Sequence, residues 1–88
     1  MEKKTNRIEI DKDLGQVNMV LDTRFYGFAS ILTASKDFTK NCWVHMDGDR
    51  NECILVTLKP KEEKIDLNTL GYDFFNYVLG LMQNAIYG

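Results

Sequence analysis

Apolar residues recur along this chain with two different periods, and the points where the period changes mark its elements. Arg7-Ile8-Glu9-Ile10 alternates polar and apolar side chains, the two-residue period of a strand. Val17, Met19 and Leu21 repeat that period over a second strand, Val17 to Leu21. Between them Asp11-Lys12-Asp13-Leu14-Gly15-Gln16 is rich in turn formers, and Gly15 is free to take a positive φ, so the two strands are expected to make a hairpin. From about Arg24 to Lys40 the spacing lengthens to three and four. Phe25, Phe28, Ile31, Leu32, Ser35 and Phe38 form a one-sided helical stripe, with Asp22 or Thr23 as its cap and Asn41 near its end. Gly27, inside the first turns of that helix, would cost roughly 1 kcal/mol against alanine.

Alternation returns over Cys42 to Asp47 and Glu52 to Leu58, joined at the polar tip Gly48-Asp49-Arg50-Asn51. Lys59-Pro60 stops the second of these strands, because proline has no N–H to give to a ladder. Residues Lys61 to Ile65 form a charged connector. Asp66 or Asn68 then caps a last helix reaching about Ile86, whose apolar positions Leu67, Leu70, Phe74, Val78, Leu81 and Ala85 recur at three and four. Phe75, Leu79, Met82 and Ile86 widen that stripe. The order is ββαββα. Sequential strands joined by short turns predict an α+β fold: a short antiparallel sheet with two helices packed on one face. The 88 residues suffice for one domain, expected over residues 7–88, with a flexible tail over residues 1–6.

The second hairpin decides what each sheet face carries. A four-residue tip sets Asp47 opposite Glu52, and then Met46 faces Cys53, Val44 faces Leu55 and Cys42 faces Thr57. Those pairs share one side and, with Ile8, Ile10, Met19 and Leu21, are expected to be core. The other side would carry Trp43, His45, Ile54 and Val56, joined by Val20 and Leu58. A face bathed only by water would be polar, so this one is expected to bind a partner or a second copy of the chain. In the same register Cys42 and Cys53 lie about four rungs, or roughly 13 Å, apart. A disulfide needs Cα atoms within about 7 Å, so two reduced core cysteines are expected.

Composition narrows the function class. The net charge is −2, without the basic face of a nucleic-acid module. Lys59, Lys61 and Lys64 are offset by Glu62, Glu63 and Asp66. No apolar run approaches the roughly 20 residues of a membrane helix, and Met1 to Arg7 has no apolar core of a signal peptide. The expected compartment is the cytoplasm, where thiols stay reduced.

Candidate chemistry is sparse. His45 is the only histidine, and Asp47 lies two residues on, so the pair suggests a general base or a pH-sensitive contact. No nucleophile or substrate pocket accompanies them in the sequence, and a histidine without chemistry is the simpler reading. Cys42 and His45 are an odd number of residues apart on a strand, hence on opposite faces, which disfavours zinc. Asp47, Asp49 and Asn51 imitate the start of a calcium loop, but Glu52 stands where that loop needs glycine and Leu58 where it needs glutamate. No phosphate loop, nucleophile elbow or zincin motif occurs. No cofactor and no catalytic residue is therefore expected.

Tyr26, Ile31, Ala34 and Phe38-Thr39 are followed by Val56-Thr57-Leu58-Lys59-Pro60-Lys61, then by Leu70, Phe74-Phe75-Asn76 and Leu79. This succession resembles the His-Xaa-Ser system protein HxsD family over roughly residues 17–80. After the asparagine the family has acidic and glutamine positions, where this chain has Tyr77-Val78-Leu79-Gly80-Leu81. The resemblance implies a non-enzymatic accessory protein beside radical-SAM enzymes that modify a ribosomally made peptide. Such a protein would bind the peptide or the enzyme through the uncovered sheet face, or by adding a strand at a sheet edge. A structural homodimer and a small enzyme using His45 and Asp47 are the alternatives.

Overall fold

The computed structural model of the chain describes residues 7–87, with side chains through Gln83. The expected tail, residues 1–6, and the positions Ala85 and Ile86 of the last helical stripe lie outside the described residues and side chains. The elements follow the expected order: β1 (Arg7–Asp11), β2 (Gln16–Asp22), α1 (Phe28–Phe38), β3 (Cys42–Asp49), β4 (Cys53–Pro60) and α2 (Leu67–Tyr87). The four strands form one antiparallel sheet in the order β1-β2-β4-β3, so β1 and β3 are its two edges. α2 packs over β1 and β2, and α1 lies beside it toward β3.

Alternation places Val17, Met19 and Leu21 of β2 inward, all fully buried. They meet Ile54, Val56 and Leu58 of β4, Ile31 and Ala34 of α1, and Leu70, Phe74, Phe75 and Val78 of α2 in a single cluster. The two helices are locked together by aromatic rings. Phe38 sits edge-on to Phe74 at 5.1 Å and to Tyr77 at 5.5 Å between centroids, and Tyr26, in the segment before α1, packs on Phe75 of α2 at 5.8 Å. The Tyr77 hydroxyl donates a hydrogen bond to the Asp37 carboxylate across the same seam.

The turns behave as their residues dictate. Gly15 has φ 64° at the β1–β2 turn, the left-handed conformation expected of it. Asp66 caps α2 as expected, its carboxylate accepting from the Thr69 N–H at 3.1 Å and the Thr69 hydroxyl at 2.7 Å.

The start of α1 differs from expectation. The helix begins at Phe28 with Gly27 as its cap residue, and neither Asp22 nor Thr23 caps it. The Asp22 carboxylate instead accepts from the Arg24 backbone N–H at 2.8 Å and from its guanidinium at 3.2 and 2.9 Å. The Asp22 carbonyl holds the Phe25 and Tyr26 N–H groups. Thr23 donates through both its N–H and its hydroxyl to the Glu52 carbonyl, tying this stretch to the β3–β4 tip. Residues 23–26 are thus a turn, and Phe25, expected in the core stripe, is 66% exposed. Gly27 sits at the helix boundary, so the interior cost of glycine is not incurred.

The second hairpin is the main correction. Met46 lies opposite Val56, Val44 opposite Leu58 and Cys42 opposite Pro60, so β4 is displaced three residues from the expected register. Because three is odd, every β4 side chain changes face. β3 runs on to Asp49, and the tip shortens to Arg50-Asn51-Glu52, closed by Glu52 N–H to the Asp49 carbonyl at 2.9 Å. Burial explains the choice: this register puts Ile54, Val56 and Leu58 inward, where the expected one would bury Cys53, Leu55 and Thr57. β4 is an inner strand flanked by β2 and β3, so the apolar gain is realised on both sides.

Candidate binding edge and outer sheet face

The site expected on the uncovered face contained Trp43, His45, Ile54 and Val56. Two of the four stand there. Trp43 is 64% exposed and His45 is also exposed, both pointing away from the helices on β3. Ile54 at 4% and Val56 at 0% exposure belong to the core instead, as does Leu58. The odd register displacement is the cause. Leu55, 40% exposed, takes the outer position opposite Asp47, and Val20 lies beside it as expected.

The outer face is consequently mixed rather than continuously apolar. One row across the sheet reads Asp47, Leu55, Val20, Arg7, and the next reads His45, Thr57, Asn18, Glu9. The Thr57 hydroxyl donates to Asn18 Oδ1 at 2.9 Å, and Gln16 Nε2 donates to the same oxygen at 3.3 Å. Opposite Trp43 stands Lys59, and the Lys61 ammonium lies 4.6 Å from the centre of the Trp43 ring. This polar net is what a water-facing sheet surface carries.

The edge beside it is different. β3 is an eight-residue edge strand, whereas β1 at the other edge has five residues. Along β3, on the side of α1, runs a shallow groove of about 590 Å³, lined by Phe28 and Leu32 of α1, Met46, Asp47, Gly48 and Asp49 of β3, Ile54 of β4 and Arg50 of the tip. Leu32 is 43% exposed, and the Arg50 guanidinium covers the Phe28 ring at 4.9 Å. The unpaired N–H and C=O groups of an edge strand therefore border an apolar trough on one side and Trp43 and His45 on the other. Sequence reasoning missed Leu32 as a surface group, and the groove beside Phe28, by assigning the whole α1 stripe to the core; Phe28 itself does pack against the core while lining the groove. The usable signal was their spacing of four next to a strand at the end of the sheet, where a helix overhangs the core.

Gly48 gives this edge its shape. Its φ is 111°, and a Cβ there would stand 2.5 Å from the Cys53 carbonyl oxygen. Only glycine lets β3 approach β4 so closely at the row that ends in the tip.

His45 and Asp47 share the outer face of β3, and Asp47 Oδ1 accepts the Gly48 N–H at 2.7 Å. Cys42 is buried, and desolvation pushes its thiol above the ordinary cysteine pKa, which suppresses the thiolate. Cys53 faces the outer side, and both cysteines are free. The expectation that both line the core thus holds for Cys42 alone. Among the described residues no group of three or more His, Cys, Asp or Glu side chains is placed to hold a metal ion. A hollow of about 620 Å³ between the β1–β2 turn and the β4–α2 connector is lined by charges of both signs, among them Lys12, Asp13, Lys59 and Glu62. Among the described residues no helix is long and apolar enough to cross a membrane.

Comparison with protein-family models, with curated proteins and with solved structures finds no match to this chain.

Proposed function

We propose that this chain is a non-enzymatic binding protein that takes up an extended peptide, or a strand of a partner enzyme, along the free edge of β3. One observation carries the reading: an eight-residue edge strand bordered by the Phe28, Leu32, Met46 and Ile54 groove. Strand addition draws its affinity from main-chain hydrogen bonds to the edge, and its selectivity from pockets that receive alternate side chains. Side chains of an added strand that point toward the helices enter the groove. Those on the other side meet Trp43 and His45. This site straddles the edge and keeps three of the four residues expected on the outer face: Trp43 and His45 on its outer side and Ile54 in the groove, with Val56 left in the core.

The resemblance to the HxsD family supplies the biological setting: an accessory role in a peptide-modification system, presenting a precursor peptide to a radical-SAM enzyme. In that setting the protein holds a substrate extended and performs no chemistry of its own.

The test is a titration of the protein into a dye-labelled synthetic peptide of His-Xaa-Ser repeats, read by anisotropy. Saturable binding is expected, weakened by Leu32→Asp in the groove and by Trp43→Asp beside it. Leu14→Asp, at the exposed β1–β2 turn, should leave it unchanged. Equal binding by all three variants would remove the β3 edge as the site.

A further inference from the structure

The two edges of the sheet are protected unequally. β1 is short, and its outward Arg7 and Glu9 are bridged at 3.4 Å, which places a local ion pair along that edge. β3 is longer, holds no proline, and its outward side chains divide into two halves. Trp43 and His45 occupy the first half, with Lys59 opposite Trp43 and Lys61 stacked on it. By alternation Asp47, opposite the exposed Leu55, and Asp49 occupy the second half, where both also border the groove. An edge with opposite character at its two ends is complementary to itself when it runs antiparallel.

We propose that, when no peptide occupies it, the β3 edge is closed by the β3 edge of a second copy of this chain. This rests on the reading of β3 as an open binding edge and names its resting occupant. The pairing has a two-fold axis perpendicular to the sheet through Met46, which keeps the helices of both copies on one side. Asp47 then stands opposite the partner's His45, and Asp49 opposite the partner's Trp43 with its Lys61. Each contact occurs twice. An axis at His45 would set imidazole against imidazole and leave Asp49 opposite an asparagine. An axis at Asp47 would set carboxylate against carboxylate, which is destabilising. On the helix side the axis at Met46 joins the two grooves into one apolar seam, and the exposed parts of Leu32 and Met46 leave water together. The result is one continuous eight-stranded sheet, whose outer edges are the two short β1 strands. A peptide that binds the edge does so by displacing the second copy.

Sedimentation equilibrium of the full chain across a micromolar concentration series tests this. The wild type is expected to dimerise. Asp47→Lys, an exposed change that leaves the core intact, should raise the dimer dissociation constant about tenfold or more by facing His45 with a cation. The swap His45→Asp with Asp47→His should restore it, because the two-fold axis exchanges these positions. Circular dichroism checks that each variant folds. A wild type that stays monomeric at high micromolar concentration overturns the proposal, as does a dimer that ignores Asp47→Lys. The peptide titration separates the two readings. A monomer that still binds the His-Xaa-Ser peptide at β3 sinks only the dimer, and a chain that does neither sinks both.

Discussion

The ammonium of Lys61 lies 4.6 Å from the centroid of the Trp43 ring, so the chain's only tryptophan carries a cationic cover on its solvent side. The pair joins the segment after β4 to the start of β3. A cation over an indole at an exposed site contributes roughly 0.5–1 kcal/mol. Lys61→Ala should therefore lower stability by about that amount. It should also make Trp43 fluorescence more sensitive to acrylamide, a neutral quencher. Unchanged quenching would mean that the lysine does not rest on the ring in solution.

The face assignment of β4 has a like-for-like test, since the strand carries one leucine on each side. Leu58 is fully buried, whereas Leu55 is 40% exposed. Leu58→Ala should cost about 2–5 kcal/mol, and Leu55→Ala under about 1 kcal/mol, by urea unfolding. The reverse order would restore the register in which Met46 faces Cys53.

That register was the point at which the sequence became hard to read. The strands, both helices and their order follow from periodicity, because a stripe such as Val17, Met19 and Leu21 admits one facing. The Asp66 cap and the Gly15 turn follow from side-chain chemistry. The tip does not, because Asp47 to Glu52 is polar throughout and tolerates a loop of three or four residues equally. Any odd displacement in strand pairing, here three residues, exchanges the faces of β4. The better guide lay within β4 itself, where Ile54, Val56 and Leu58 form a more apolar set than Cys53, Leu55, Thr57 and Lys59. The same limit hid the groove, since the α1 stripe does not say how far the helix overhangs the sheet.

Gly48 offers a sharper probe of the hairpin. Alanine there meets both a φ of 111° and a backbone oxygen 2.5 Å from its Cβ, and neither yields cheaply. Gly48→Ala should destabilise by about 2 kcal/mol or more. Gly15→Ala meets open space at φ 64° and should cost only about 1–2 kcal/mol, the left-handed penalty alone. Equal midpoint shifts in urea would show that the close approach at Gly48 relaxes freely.

Acid stability should carry the signature of the α2 cap. Hydrogen bonds from the Thr69 hydroxyl, and then from its N–H, hold the Asp66 carboxyl below its ordinary pKa of 3.8. A folded pKa below the unfolded one stabilises the protein above the unfolded value, and that contribution is lost as pH falls through the folded pKa. Asp66→Asn should therefore flatten the fall in melting temperature below pH 4 while changing its slope little near neutrality. An unaltered acid limb would place the acid sensitivity elsewhere.

The central claim, that β3 presents a free edge which an added strand closes, is most directly read by residue-resolved amide hydrogen exchange. The measurement uses dilute protein with and without the His-Xaa-Ser peptide. Between Cys42 and Asp49 every second amide points away from β4, so those amides should exchange fast in the free chain while their neighbours are protected. Adding the peptide should slow that alternate set and leave the β1 amides unchanged. Protection that appears on α2 or β1 instead, with β3 unaffected, would contradict the account.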